Sequence, residues 1–118
     1  MEIITNEDDT YKLVASKAYN NNDIIRVLKG EEYDKPSRTT IEVDTDKHID
    51  DEFGIYINHS FTPSTRIEKG CVVANKYMQE GEEITFNYNL TETKMATPFV
   101  DKDTNIPVSG NSSNYFQN

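Results

Sequence analysis

Cysteine, basic residues and long apolar runs are what this sequence has least of, and each shortage closes a class of function. Cys71 is the one cysteine in 118 residues, which excludes an internal disulfide and a cysteine-based zinc cluster. It sits in GCVVANK, where a buried strand residue is a simpler reading than a nucleophile. Lys and Arg number 12 against 21 Asp and Glu, and the formal charge of -9 would repel a phosphate backbone. Basic partners are expected, and nucleic acid is not. No apolar stretch approaches the roughly 20 residues that cross a bilayer, and MEIITNEDDT has neither the basic residues nor the apolar run of a secretory signal. The expectation is an intracellular protein, cytoplasmic or, in a eukaryotic or viral setting, nuclear, with no membrane partner. The sequons at Asn58, Asn89 and Asn111 are then expected to be unmodified.

A sustained helical period is also missing: no window keeps the i, i+3, i+4, i+7 spacing of a long amphipathic helix. The length suits one domain. Short strands are predicted over 11–15, 23–28, 39–43, 71–74 and 83–86, each bounded by Gly, Asn, Pro or Asp. Turns are expected at Asn20-Asn21-Asn22 and at Gln79-Glu80-Gly81-Glu82, where Gly81 takes a positive φ at low cost. Residues 50–56 read as a helical turn or two, and 110–118 as a flexible polar tail. The residues alone therefore give a small, mainly β domain.

What is present in strength is a pair of motifs: Ile57 to Ser64, INHSFTPS, and Gly81 to Asn89, GEEITFNYN. In order and spacing they resemble the two carboxy-terminal signatures of the SET domain, roughly NHSxxPN followed by GEExxxxY. His48-Ile49-Asp50 is similar to the HIDA-type segment of that family, and Val14-Ala15 through Asp23-Ile24-Ile25 to its first hairpin. Met95 to Asp103 resembles the start of its post-SET segment, without the zinc-ligating cysteines. Asp101 and Asp103 are too few carboxylates for a cation cage, so no metal is expected.

The resemblance implies a mainly β SET-domain fold (β-clip): short antiparallel sheets, little helix and a threaded pseudoknot near the carboxy terminus. The SET domain would span 1–109, with a post-SET-like segment at 95–109. It implies a methyltransferase that uses S-adenosyl-L-methionine and acts on a lysine side chain of a basic protein or peptide. Minimal viral and microbial members, some of them dimers, allow a homodimer here. Tyr88 matches the catalytic tyrosine of the second motif. The implied cofactor contacts are Asn58, His59, Tyr11, Lys12 and Phe99, with the His59 ring acting more as a strut than as a ligand. Phe99 suits either an aromatic face over the site or core packing. Phe86 and Tyr56 are expected beneath the site.

Two departures stand out. Thr10-Tyr11-Lys12 occupies the place of the family's Gly-x-Gly, and Leu28 that of a channel tyrosine, which would make one channel wall apolar. They keep open a SET-fold protein that binds a partner or cofactor without turnover. Reduced peptide-reading surface keeps open an enzyme acting on a small molecule.

Overall fold

Short apolar runs broken by turn formers produce short strands. The computed structural model describes residues 1–93, 95, 96 and 98–110. Along the chain run β1 (Glu2–Thr5), β2 (Tyr11–Val14), β3 (Ile24–Val27), β4 (Gly30–Tyr33), β5 (Ile41–Asp44), β6 (Lys47–Asp51), a 3-10 turn (Gly54–Tyr56) and β7 (Asn58–His59). Then come β8 (Thr65–Glu68), β9 (Cys71–Ala74), β10 (Thr85–Phe86), helix α1 (Tyr88–Thr91), β11 (Phe99–Val100) and β12 (Pro107–Val108).

The strands assemble into small sheets: β1-β2, β3-β9-β8, β4-β6-β5 and β11-β12 are antiparallel, while β7 and β10 pair in parallel. Parallel pairing needs a long connection. Here it is the whole stretch from Ser60 to Ile84, including the β8-β9 hairpin, so the two sequence motifs end side by side. Leu13, Val72, Met78 and Ile84 have no exposed surface, and Ile57 has 1 %. Each such burial contributes about 1.5–3 kcal/mol, and together they fix the floor under the paired motifs.

Most expected strands form, with shifted ends. The strand expected over 39–43 begins at Ile41, because Thr40 folds back on Ser37, accepting the Ser37 N–H at 2.8 Å. Only one 3-10 turn forms in 50–56, since Asp50 and Asp51 belong to β6. The segments β1 (EIIT) and β4 (GEEY) carry no alternating signature and were not expected; tertiary pairing makes them strands. Gly81 turns at φ 88° as anticipated.

Two features fix the approach to the motifs. Asp51, 1 % exposed, accepts hydrogen bonds from the backbone N–H groups of Lys29, Phe53 and Gly54, each at 2.9 Å, and from Arg26 Nε. At Gly30, φ 154°, a Cβ would stand 2.0 Å from the Asp50 carbonyl oxygen, so only glycine lets β4 close on β6.

Leu28 does not line a channel. It is 4 % exposed and packs in the central core, so its apolar character serves the interior. Cys71 lies on β9 as expected but is half-buried, with Sγ near the Lys69 carbonyl. Gly110 is buried, its N–H donating to Asn89 Oδ1. The rest of the predicted flexible tail, with the Asn111 sequon, lies outside the described residues.

Candidate functional site

The site is built where β7 and β10 run together, in register Thr85 to Asn58 and Phe86 to His59. Small polar side chains hold the register. Ser64 Oγ donates to the Glu83 carbonyl and accepts from the Thr85 N–H, while Thr65 Oγ1 donates to the Thr85 carbonyl at 2.6 Å. Ser64, where the family pattern has asparagine, is therefore the residue that ties one motif to the other.

Past β10, Asn87 caps α1, its side chain accepting the Asn89 N–H at 2.9 Å. Tyr88 then turns its hydroxyl to donate to the Ile57 carbonyl, and its backbone N–H donates to His59 Nδ1 at 3.0 Å. Because Nδ1 accepts, the neutral ring carries its proton on Nε2, a buried atom without a partner. Burial holds the His59 pKa below the ordinary histidine value, against an opposing pull from Asp101. Burial also raises the Tyr88 pKa, helped by the Glu92 and Glu83 carboxylates, so the side chain stays a phenol.

Aromatic rings gather at this point. His59 stands edge-on to Tyr88 at 5.2 Å and to Phe99 at 6.1 Å, and Phe86 lies 4.7 Å from Tyr88. Phe99 is 42 % exposed, so it covers the site rather than filling the core. Its hairpin is anchored by Asn89, whose Nδ2 donates to the Pro107 carbonyl and whose Oδ1 accepts the N–H groups of Ser109 and Gly110.

Asn58 sits on the other flank. Its Nδ2 donates to the Tyr11 carbonyl at 2.9 Å and to Glu83 Oε2 at 3.0 Å, leaving Oδ1 free. Tyr11 packs its ring on Tyr56 at 5.5 Å. Lys12 is the predicted contact that does not join them: strand alternation puts its side chain on the face of β2 opposite Tyr11 and Leu13.

A cavity of about 220 Å³ opens against Tyr88, Phe86 and Phe99, walled by Ile41, Ile55 and Ile57. Neither Asn58 nor His59 lines it, so Tyr88 and Phe99 stand between it and the Asn58 flank. Glu92 also lines it. Its residue is 6 % exposed, and burial, ahead of a backbone hydrogen bond from Glu42 and the nearby Glu42 charge, leaves its pKa raised to about 7. Nothing in the sequence marked Glu92, and nothing gave Asn89, a sequon at the end of the second motif, its anchoring role; a buried Glu is rare enough that only packing reveals it.

With these motifs paired on β7 and β10, the family model for the SET domain matches residues 2–89. The chain belongs to the SET domain family. Among solved structures, this SET domain resembles a crystal structure of a Plasmodium falciparum protein described as a "putative histone methyltransferase", with a TM-score of 0.58 and 17% identity. The match covers 74% of this chain and 94% of that one, and at this identity it speaks for the fold. No curated protein sequence matches the chain. SET domain methyltransferases generally use S-adenosylmethionine. The Asn58 flank of this one suits the ammonium of that molecule, because Asn58 Oδ1 is an unused acceptor with the Glu83 carboxylate beside it.

Proposed function

We propose that this SET domain transfers a methyl group from S-adenosylmethionine to a lysine side chain of a basic protein or peptide. The observation that carries the reading is Tyr88. It is fixed through His59, the neighbour of Asn58, and through Ile57, and it lines a cavity of about 220 Å³ together with Phe86 and Phe99.

When bound, the cofactor supplies an electrophilic methyl on a sulfonium. Asn58 and Glu83 are the residues that would hold its ammonium, and Tyr11 and Phe99 would border it, Phe99 by its ring. The Tyr88 hydroxyl donates its hydrogen bond to the Ile57 carbonyl, so the lone pairs of its oxygen are left to accept an N–H from the incoming amine. That contact aims the nitrogen lone pair. A lysine ammonium must lose a proton at a cost of about 4 kcal/mol at pH 7.4, and the apolar walls of Ile41, Ile55, Ile57 and Phe86 offset part of it by disfavouring the charge. His59 keeps the backbone of Tyr88 in place and takes no proton, since burial holds it neutral. The formal charge of -9 favours basic substrates approaching from solution.

Calorimetry with S-adenosylmethionine should detect binding. Mass spectrometry of basic peptides and of lysine-containing metabolites should then find methylation of the peptides. Tyr88→Phe should keep cofactor binding and lose about a hundredfold or more in transfer. Unchanged turnover in Tyr88→Phe would remove Tyr88 from the chemistry. Methylation confined to the metabolites would replace the peptide substrate with a small molecule.

A further inference from the structure

The cavity beside Tyr88 has a wall of mixed character, with Ile41, Ile55, Ile57 and Phe86 beside Ser37, Thr39 and Thr40, and it includes a carboxylate. Glu92 is one helical turn beyond Tyr88, its N–H donating to the Tyr88 carbonyl at 2.8 Å, so the two side chains share a face of α1 and both reach the cavity. Glu92 Oε2 accepts the Glu42 N–H at 2.9 Å, and among the described residues Oε1 has no hydrogen-bond partner. The Glu42 carboxylate lies behind, engaged by the N–H and hydroxyl of Thr93. A carboxylate with 94 % of its residue buried, one oxygen unused and a like charge nearby either holds a proton or takes a cation arriving from the cavity, and a cation that binds displaces the proton. Among the described residues the one basic residue in the lining is Arg38, exposed and in no ion pair with Glu92.

We propose that Glu92 is a specificity residue that receives a second basic side chain of the substrate, an arginine next to the methylated lysine, through its free Oε1. The proposal rests on reading the cavity as the substrate side of Tyr88. Arginine fits better than lysine because its weakly hydrated guanidinium leaves water at lower cost and its planar fork offers several N–H donors, to the Glu92 oxygen and to the Ser37, Thr39 and Thr40 groups of the same wall. Its aliphatic stem then packs on Ile41, Ile55 and Met95.

The test needs no turnover. Carbon-13 NMR of the Glu92 carboxyl should place its titration midpoint near 7 in the free protein. Nα-acetyl-arginine amide should lower that midpoint, while the citrulline analogue, neutral and of the same shape, should leave it in place. Lysine peptides with an adjacent arginine should bind the wild type about tenfold more tightly than their citrulline counterparts, a preference that Glu92→Gln abolishes. Glu92→Gln keeps the acceptor for the Glu42 N–H, and the wild-type titration stands whether or not the variant folds. A midpoint unmoved by the arginine probe, or an arginine preference surviving in Glu92→Gln, overturns the proposal. So does a free-protein midpoint already low that rises in Arg38→Ala, because Arg38 would then be the cation Glu92 holds. Failure to bind S-adenosylmethionine would sink the methyltransferase reading without touching these measurements.

Discussion

Asp51 and Glu92 are both carboxylates inside the protein, and their pKa values are shifted in opposite directions. Burial penalises the charge of each. At Asp51 that penalty is overcome by the N–H groups of Lys29, Phe53 and Gly54 and by Arg26, and its pKa ends below the ordinary carboxylate value. Glu92 receives one backbone N–H, faces the negative Glu42, and ends raised to about 7. The balance of donors against burial decides the direction of the shift. The saturated carboxylate pins the turn that leads into the first motif, and the unsaturated one lines the cavity. A structural site has spent its hydrogen bonds, whereas a site awaiting a ligand has one left over.

The largest effect that would break this contrast lies at Asp51. Asp51→Ala should cost about 3–5 kcal/mol, since it strands Arg26 and three backbone donors in the interior; urea unfolding measures it, and a loss under about 1 kcal/mol would show the network is not structural. Because the Asp51 pKa is depressed, its stabilisation is present above the unfolded value and fades as pH falls through the folded one. Wild type should therefore lose stability in acid faster than the variant.

Next comes Gly30→Ala. The added Cβ would stand 2.0 Å from the Asp50 carbonyl, so β4 must part from β6, at a cost of about 2–4 kcal/mol in the same unfolding assay.

Glu92 should show the reverse pH slope. Its folded pKa is above the unfolded value near 4.5, so its contribution is complete below that pH and declines as pH rises through about 7. Across that window wild type should lose up to about 3 kcal/mol relative to Glu92→Gln, and parallel curves would mean that Glu92 is not held protonated. The smallest effect is at Glu42→Gln, which removes the neighbouring charge but keeps the backbone donor. The Glu92 midpoint should move down, and an NMR titration that finds it unmoved would leave burial as the sole cause.

Legibility from sequence followed the same division. INHSFTPS and GEEITFNYN were readable because side-chain identity at fixed spacing is what they carry. They located Tyr88, Asn58 and His59 and, through resemblance, the family. The strand centres at 71–74 and 24–27 were readable from apolar runs and turn residues. The place of Leu28 in the core was not, because an apolar residue in a motif looks the same whether it faces a channel or the core. Lys12 was grouped with Tyr11 by adjacency, and strand alternation separated them. Asn89, noticed only as a sequon, proves to hold the Phe99 hairpin through three hydrogen bonds, each to a residue 18 to 21 positions away.

The sequence by itself determined which chemical groups exist and which of them sit at set intervals, and that was enough for the motifs and a mainly β chain. Only the tertiary structure decided which carboxylate would be charged, which aromatic would be exposed and where a cavity would open. Those depend on how many donors and how much water reach a side chain, and segments distant in sequence supply both.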